Sequence, residues 1–363
     1  MKINQIGEAK IIMNNPHSKH NYFGWPTAAR LQNGKIAVVA SGFRLEHVCP
    51  FGKMVISYSE NEGESYTAPA PVIDCPLDDR DGGILAFGEK NVIVTSFNNR
   101  RASQRKWLEQ PHLAQPELAP YAAAYLDTIT DEEEEYFIGS TYRISNDYGV
   151  TFGDIKKSPV TSPHGPIELN DGRLLWIGNH FEGVYENCLR AYIIHMDGTA
   201  EFVSELPQII EDGELLNSDE PHAIQLEDGT ILCHIRVGGG TTPHFSTYQT
   251  ESTDGGRTWS QPHRLLDLLG GAPAHLMRHS SGMLISVYGY RLEPFGVQAM
   301  FSKDNGKTWD TGYDVYINHI SGDLGYPSTV ELNDGSLVTI FYAHPAGTEP
   351  AVIMQQHWSF EEA

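Results

Sequence analysis

Trp25, Arg80 with Asp81, His164, Glu220 with His222, His275 and Tyr326 can each donate, accept or move protons, or stack on a ring. The carboxylates and histidines suit acid–base work, and a histidine changes charge between about pH 5 and 8. Arginine suits a carboxylate, which it grips with two parallel hydrogen bonds. Neutral imidazoles could also ligate a metal ion. Each of these residues opens a similar short segment, and together they are too polar and too aromatic for packing alone.

The elements that must position them are repeats. "WPTAARLQNGKIAVVA" begins at Trp25, "RDGGILAFGEKNVIVTS" at Arg80, "HGPIELNDGRLLWIG" at His164, "HAIQLEDGTILCHIR" at His222, "HLMRHSSGMLISVYG" at His275 and "YPSTVELNDGSLVTIFY" at Tyr326. Each reads as a short apolar strand, a tight polar turn that usually contains Gly, and a second β-rich strand. The starts lie 55, 84, 58, 53 and 51 residues apart. About 50 residues suit one four-stranded propeller blade. The expected fold is therefore all-β, a six-bladed β-propeller, with inner strands starting near residues 25, 80, 164, 222, 275 and 326. Inner strands start together around a central axis, so the first residues of all six should line one pocket. The rings of His164, His222 and His275 should face one cavity, hydrogen-bonding a ligand rather than holding a metal.

A second repeat runs out of phase. "STDGGRTW" at 252–259 and "SKDNGKTW" at 302–309 are near-copies, with degenerate versions "SNDYGVTF" at 145–152 and "SENEGESY" at 59–66. The third unit keeps only "HMDGTA" and the sixth has none. Asp and Asn bond the backbone two residues on, and Gly supplies positive φ, so this is a hairpin turn. It should fall between the third and fourth strands of a blade, with its aromatic residue tucked beneath. The strand near "AKIIMN" should pair beside "AVIMQQHW" and close the ring, which removes the sheet edges.

Residues 1–363 thus read as one propeller domain with an excursion at about 98–136 in the second blade. The excursion should be partly helical around "APYAAAYLDTI". It is either a solvated loop, or a lid or subunit contact. Arg100, Arg101 and Arg105 at its start read as solvated.

Composition bounds the partners. The formal charge of −22 argues against nucleic acid and anionic membrane surfaces. An acidic substrate would need a local arginine cluster. There is no apolar run of 18 residues and no visible leader, which reads as cytoplasmic, or as secreted if a leader was removed. Cys49, Cys75, Cys188 and Cys233 lack metal spacing and read as reduced thiols. No cofactor or metal is called for. A homo-oligomer is left open.

Repeated Ser-x-Asp-x-Gly-x-Thr-Trp turns on six blades make the whole chain resemble the sialidase (neuraminidase) superfamily. The resemblance implies a tyrosine nucleophile assisted by a glutamate, an aspartate acid/base and three arginines on the substrate carboxylate; sialidases depart from the two-carboxylate pattern of most glycosidases. "GYPSTVELNDG" puts Tyr326 at the nucleophile. "EPHAIQLEDGTILCHIR" puts Glu220 at the assisting carboxylate and Arg236 at one arginine. A phenol near pKa 10 is a poor nucleophile until a carboxylate accepts its proton. Departures are as informative. Where the family has its first arginine this chain has "FGWP", with Gly24 and Trp25. "GVQAMFS" lacks the third, for which Arg291 in "YGYRLEPFG" is the nearest substitute. In the acid/base region, "FRLEHVCPFG", Glu46 or His47 would have to serve. "DDRDGG" keeps Asp81 and adds Arg80. Trp25, Tyr288 and Tyr290 suit stacking on a sugar ring, though blade packing would also explain the tyrosines.

The expected partner is therefore a carbohydrate, acidic in character. Three readings stay open: a retaining glycoside hydrolase using Tyr326, Glu220 and one of Glu46, His47 or Asp81; a polysaccharide lyase using a histidine and Tyr326 on a uronate; and a noncatalytic glycan-binding propeller.

Overall fold

The structure is a computed structural model that describes residues 1–110, 113, 115–181, 185–239, 242–265, 271–345 and 350–362. Six antiparallel sheets, each running outward from its first strand, form the blades. Their inner strands are Tyr22–Arg30, Ile84–Phe87, the pair Val160–Thr161 and Ile167–Glu168, Asn217–Gln225, Gly271–Arg278 and Gly325–Glu331. Inner strands of neighbouring blades touch one another around the ring. The expected starts hold for five of the blades to within a few residues. In the second, the regular strand begins later, and Arg80 joins the sheet through a bridge to Phe97.

Alternating apolar residues on the strands fill the spaces between blades, so the core is a set of interfaces. One cluster joins the sixth blade to the first through Ile340, Tyr342, Val38 and Phe23. Others join the first to the second, the second to the third, the third to the fourth and the fifth to the sixth. The ring closes as the sequence predicts. Lys10–Met13 pairs with Val352–Glu361, and Lys2–Gln5 adds a further segment on the same strand.

The four turn motifs lie between third and fourth strands, at the outer ends of their blades. In 252–259, Ser252 Oγ accepts the Gly256 N–H at 2.9 Å and donates to Asp254. Asp254 in turn accepts the Thr258 N–H at 2.9 Å and its hydroxyl at 2.7 Å. Those bonds hold the Asp254 carboxyl down at about 2. The turn's glycine carbonyl then reaches the preceding blade. Gly63 accepts from Gln355, Gly149 from Tyr58, Gly256 from Ser204 and Gly306 from Gln249. The aromatic residue follows: Trp259 bonds Ser204 and Trp309 bonds Gln249. Each turn is therefore a clamp between blades.

Among its described residues the excursion carries three α-helices, α1 (Arg101–Leu108), α2 (Ala119–Leu126) and α3 (Asp131–Phe137), and a 3-10 turn at Pro116–Leu118. It is packed: Leu126, Ile129 and Ile138 form a core with Cys75 and Leu77 of the first blade's exit. The arginines read as solvated are paired. Arg101 bonds Asp131 and Glu134, Arg105 bonds Asp127, and Arg100 lies 3.4 Å from Glu135. The basic start and acidic end of the segment attract each other. The four cysteines are free thiols, and no helix among the described residues is long and apolar enough to cross a membrane.

At the axis, the third blade is interrupted. Residues 162–165 leave the sheet between Val160–Thr161 and Ile167–Glu168 and cross toward the first and second blades. Thr27 Oγ1 donates to Pro163 O at 3.2 Å. A Cβ on Gly83 would stand 2.6 Å from Gly165 N and from His164 C, so only glycine fits. Gly83→Ala should lower stability by about 1–3 kcal/mol in chemical denaturation, the usual cost of overpacking. Gly153→Ala, whose Cβ would make only an ordinary 3.5 Å contact at an exposed turn, should stay within about 0.5 kcal/mol of the parent.

Candidate functional site

Four inner-strand heads carry left-handed backbone: Trp25 at φ 52°, Asp81 at 47°, Glu220 at 48° and Tyr326 at 50°. Such a conformation costs a non-glycine residue about 1–3 kcal/mol. Pro26, Gly82, Pro221 or Pro327 follows in each case. Pairing slips across three of them, between Gly24 and Thr27, Asp219 and His222, and Gly325 and Ser328. A bulge re-aims a side chain. Left-handed backbone at Asp81, Glu220 and Tyr326 turns them into one cavity of about 370 Å³, lined also by Thr161, Ser162 and Pro163.

Tyr326 and Glu220 are 106 positions apart in sequence and in direct contact: the phenol donates to Glu220 Oε1 at 2.5 Å. Arg236 Nη1 bonds Glu220 Oε2 at 2.5 Å and reaches the phenol oxygen at 3.2 Å. The guanidinium stacks on Phe245, 3.7 Å from its centroid. Burial, reinforced by the Glu220 charge, pushes the Tyr326 hydroxyl well above the ordinary phenol value. The resting phenol is therefore protonated, with its proton aimed at Glu220.

Asp81 faces the same cavity. Burial, which outweighs the opposing Arg80 and is helped by the Glu220 charge, raises its carboxyl to about 7. Its Oδ1 is buried without a hydrogen-bond partner. Asp219 also lines the cavity and is pushed up to about 6 by burial and Glu220. A carboxylate paired to arginine thus sits beside two whose pKa values are raised toward neutral pH.

Arg80 lines the wall, its guanidinium 4.5 Å above the Trp25 ring. The Nε atoms of Arg80 and Arg236 are both buried and unpartnered. Arg291 lies over the Tyr326 ring at 5.8 Å, tied to Leu324 O at 3.1 Å and to the Tyr342 hydroxyl. Arg236 and Arg291 therefore flank Tyr326, and Arg80 lines the same cavity.

Other residues read from sequence lie elsewhere. Trp25 is buried, 2 % exposed, beneath Arg80 and against His47, so it supports the wall rather than offering an open stacking face. Glu46 accepts the Gln115 N–H at 2.6 Å and lines a narrow groove against the excursion, because Gln115 draws it away from the axis. His47 stacks on Trp107 of α1, bonds Tyr22 at 3.1 Å and lies 3.8 Å from Asp323. Burial, then Arg80, lowers its ring to about 3, so it is neutral. Tyr288 is buried inside the fifth blade, donating to Gln298. Tyr290 packs in the same blade. His164, His222 and His275 do converge, but in a second cavity further along the inner strands, on the other side of residues 162–165. Neither Tyr326 nor Glu220 lines it.

No protein-family model and no curated protein matches the sequence. Solved structures do match in shape. A protein of unknown function from Dyadobacter fermentans superposes with a TM-score of 0.74 at 17% identity, covering 99% of each chain. The NanB sialidase of Streptococcus pneumoniae gives 0.66 at 12% identity over 97% of this chain and 70% of its own. The intramolecular trans-sialidase of Ruminococcus gnavus gives 0.63 at 11% identity over 97% of each chain. The chain has the sialidase fold.

Within this sialidase-like propeller, sequence reasoning passed over Asp219, Asn179, Phe245 and the cluster of Asp323, Tyr342, His344 and Tyr22. Asp219 stands next to Glu220 and was legible as its neighbour. Asn179 Oδ1 accepts the Glu220 N–H at 3.3 Å from the adjacent blade, a contact with no local signal. Asp323 accepts from Tyr342 and Tyr22 at 2.9 and 3.2 Å and pairs with His344 at 2.9 Å. It gathers residues from both ends of the chain.

Removing one partner of a buried ion pair leaves the other charge uncompensated. Arg236→Met should therefore destabilise the fold by about 3 kcal/mol. Combining it with Glu220→Gln should restore most of that loss in thermal or chemical unfolding.

Proposed function

We propose that this protein is a retaining glycoside hydrolase acting on an acidic sugar, with Tyr326 as nucleophile. The observation that carries the reading is the Tyr326 phenol donating at 2.5 Å to Glu220, itself held by Arg236. That arrangement gives an otherwise unreactive hydroxyl an acceptor for its proton as it attacks.

In the first step the Tyr326 oxygen bonds the anomeric carbon and its proton passes to Glu220. The bond to the leaving oxygen breaks, and that oxygen takes a proton from Asp81. In the second step a water gives a proton back to Asp81 and attacks the same carbon, while the phenol leaves and recovers its proton from Glu220. Asp81 serves as the acid because it lines the cavity and holds a proton near neutrality. Glu46 is turned into another groove, and neutral His47 has no proton to give at its ring's lowered value. Arg80 and Arg236, which line the cavity, supply guanidinium donors for a substrate carboxylate, with Arg291 beside Tyr326. The sialidase neighbours support this reading through the fold they share with the chain. A lyase built on the three histidines is disfavoured, because their cavity excludes Tyr326.

The test is release of the aryl group from a panel of aryl glycosides of nonulosonic and uronic acids. Tyr326→Phe should lower turnover about a thousandfold or more while sugar-acid binding survives. Binding of acidic sugars with no turnover on any of them would identify a glycan-binding propeller instead.

The pH profile follows from Asp81. The acid must be protonated, so activity should fall as pH rises through about 7, the value to which burial raises it. Asp81→Asn should cost about 10²- to 10⁴-fold with substrates whose leaving group needs a proton. It should also remove that alkaline limb with aryl leaving groups that need none. A limb that persists in Asp81→Asn would assign the acid to another group.

A further inference from the structure

The second axial cavity has a volume of about 420 Å³ and is lined by residues further along the inner strands, from Thr27 to Glu331. His164, His222 and His275 meet there, with ring centroids 5.2, 5.1 and 4.6 Å apart. The rings of His222 and His275 stack within 11° of parallel, and His164 stands edge-on to both. The three residues are 2%, 9% and 9% exposed.

The hydrogen bonds fix the protons. His222 Nδ1 accepts the Leu276 N–H at 2.9 Å, and His275 Nδ1 accepts the Thr329 N–H at 3.4 Å. A ring nitrogen that accepts from a backbone amide carries no proton, so the neutral ring carries it on Nε2. Burial keeps the rings neutral, with His275 lowered to about 4 and the other two held well below the ordinary value. His222 and His275 therefore present Nε2–H donors. His164 Nε2 is buried with no partner, while its Nδ1 lies 3.0 Å from the Thr27 hydroxyl. That hydroxyl also reaches Pro163 O, so it can turn and let His164 take either tautomer.

A metal ion would need bare Nε2 lone pairs, which two of the three rings do not offer. Around the rings the walls are apolar: Ala28, Ile84, Pro166, Ala223, Leu276 and Val330. The charged groups at the mouth have partners of their own. Arg30 pairs with Glu62, Glu331 with His279 and the Ser280 N–H, and Glu168 with the Gly88 N–H.

We propose that this cluster is a second binding site, separate from the Tyr326 pocket, for a small monovalent inorganic anion of halide or nitrate size held by the Nε2–H groups of His222 and His275. Donors set in apolar walls match a weakly hydrated anion better than a cation or a sugar. Two or three hydrogen bonds to a charged ligand, opposed by the net charge of −22, set the affinity at about the millimolar level.

Bromide is the probe. Crystals of the full chain grown in sodium bromide should show an anomalous peak about 3.3 Å from the two Nε2 atoms, slightly beyond an ordinary hydrogen bond because the ion is larger. In solution, bromide titrated against gluconate at constant ionic strength should raise the unfolding midpoint and saturate. His222→Asn and His275→Asn each keep a side-chain acceptor for the backbone amide but remove the far donor. Both variants should unfold near the parent in gluconate and lose the bromide shift at least tenfold. No bromide peak at the rings, a peak on surface groups alone, or a shift unchanged in folded variants would overturn the proposal. So would stoichiometric zinc with about 2.1 Å contacts to the rings. If the variants fail to fold, the anomalous map of the parent decides by itself.

Discussion

The structure depends on crowding at a single axis. Six inner strands enter it side by side, and there is room for functional side chains only if the backbone turns them inward. The left-handed residues Trp25, Asp81, Glu220 and Tyr326 do this. Each is a local strain of about 1–3 kcal/mol that the surrounding sheets must hold. Proline behind three of them suits the slip, since a bulge has no ladder bond for the missing N–H to make. The same crowding brings Gly83 against Gly165 and lets residues 162–165 divide the axis into two cavities. The Tyr326 pocket and the histidine cluster are thus two sides of one partition.

Electrostatics then differentiates groups that look alike in sequence. Glu220 has Arg236 at 2.5 Å. Asp81 and Asp219 have burial and the Glu220 charge against them, and both are raised toward neutral pH. Beneath the wall, Arg44 and Asp78 form an ion pair at 2.6 Å with neither side chain exposed, and Arg44 also lies 4.8 Å from the Trp25 ring. In a chain of charge −22, arginines gathered around Tyr326 create a local anion-attracting region that the overall charge does not foretell.

The outer rim holds the ring to the geometry the centre needs. Each of the four turn motifs offers a glycine carbonyl to the preceding blade, and Trp259 and Trp309 add an indole bond in the same direction. A blade so clamped cannot rotate without breaking its neighbour's contacts. The excursion is fixed by other means, its apolar core against Cys75 and Leu77 and the pairing of Arg101 in its first helix with Asp131 and Glu134 in its last. Through Trp107 on His47 and Gln115 on Glu46 it props the first blade's loop next to the pocket wall.

The sequence by itself determined the six blades, the turn motifs at their outer ends, the closure by the first strands, and Tyr326 and Glu220 as strand heads on one axis, while Arg236 entered through the resemblance to sialidases. These are legible because strand alternation, glycine turns and repeat spacing are local, and a shared blade geometry maps strand heads onto one axis. Only the tertiary structure decided depth along that axis. Only Pro221 separates Glu220 from His222, yet one faces the pocket and the other a different cavity, because the left-handed kink reverses direction between them. It likewise decided that Glu46 is captured by Gln115, that Tyr288 is packing, and that burial raises the Asp81 carboxyl toward neutral pH. Those outcomes depend on contacts between segments far apart in the chain and on burial, and a pattern of residue types records neither.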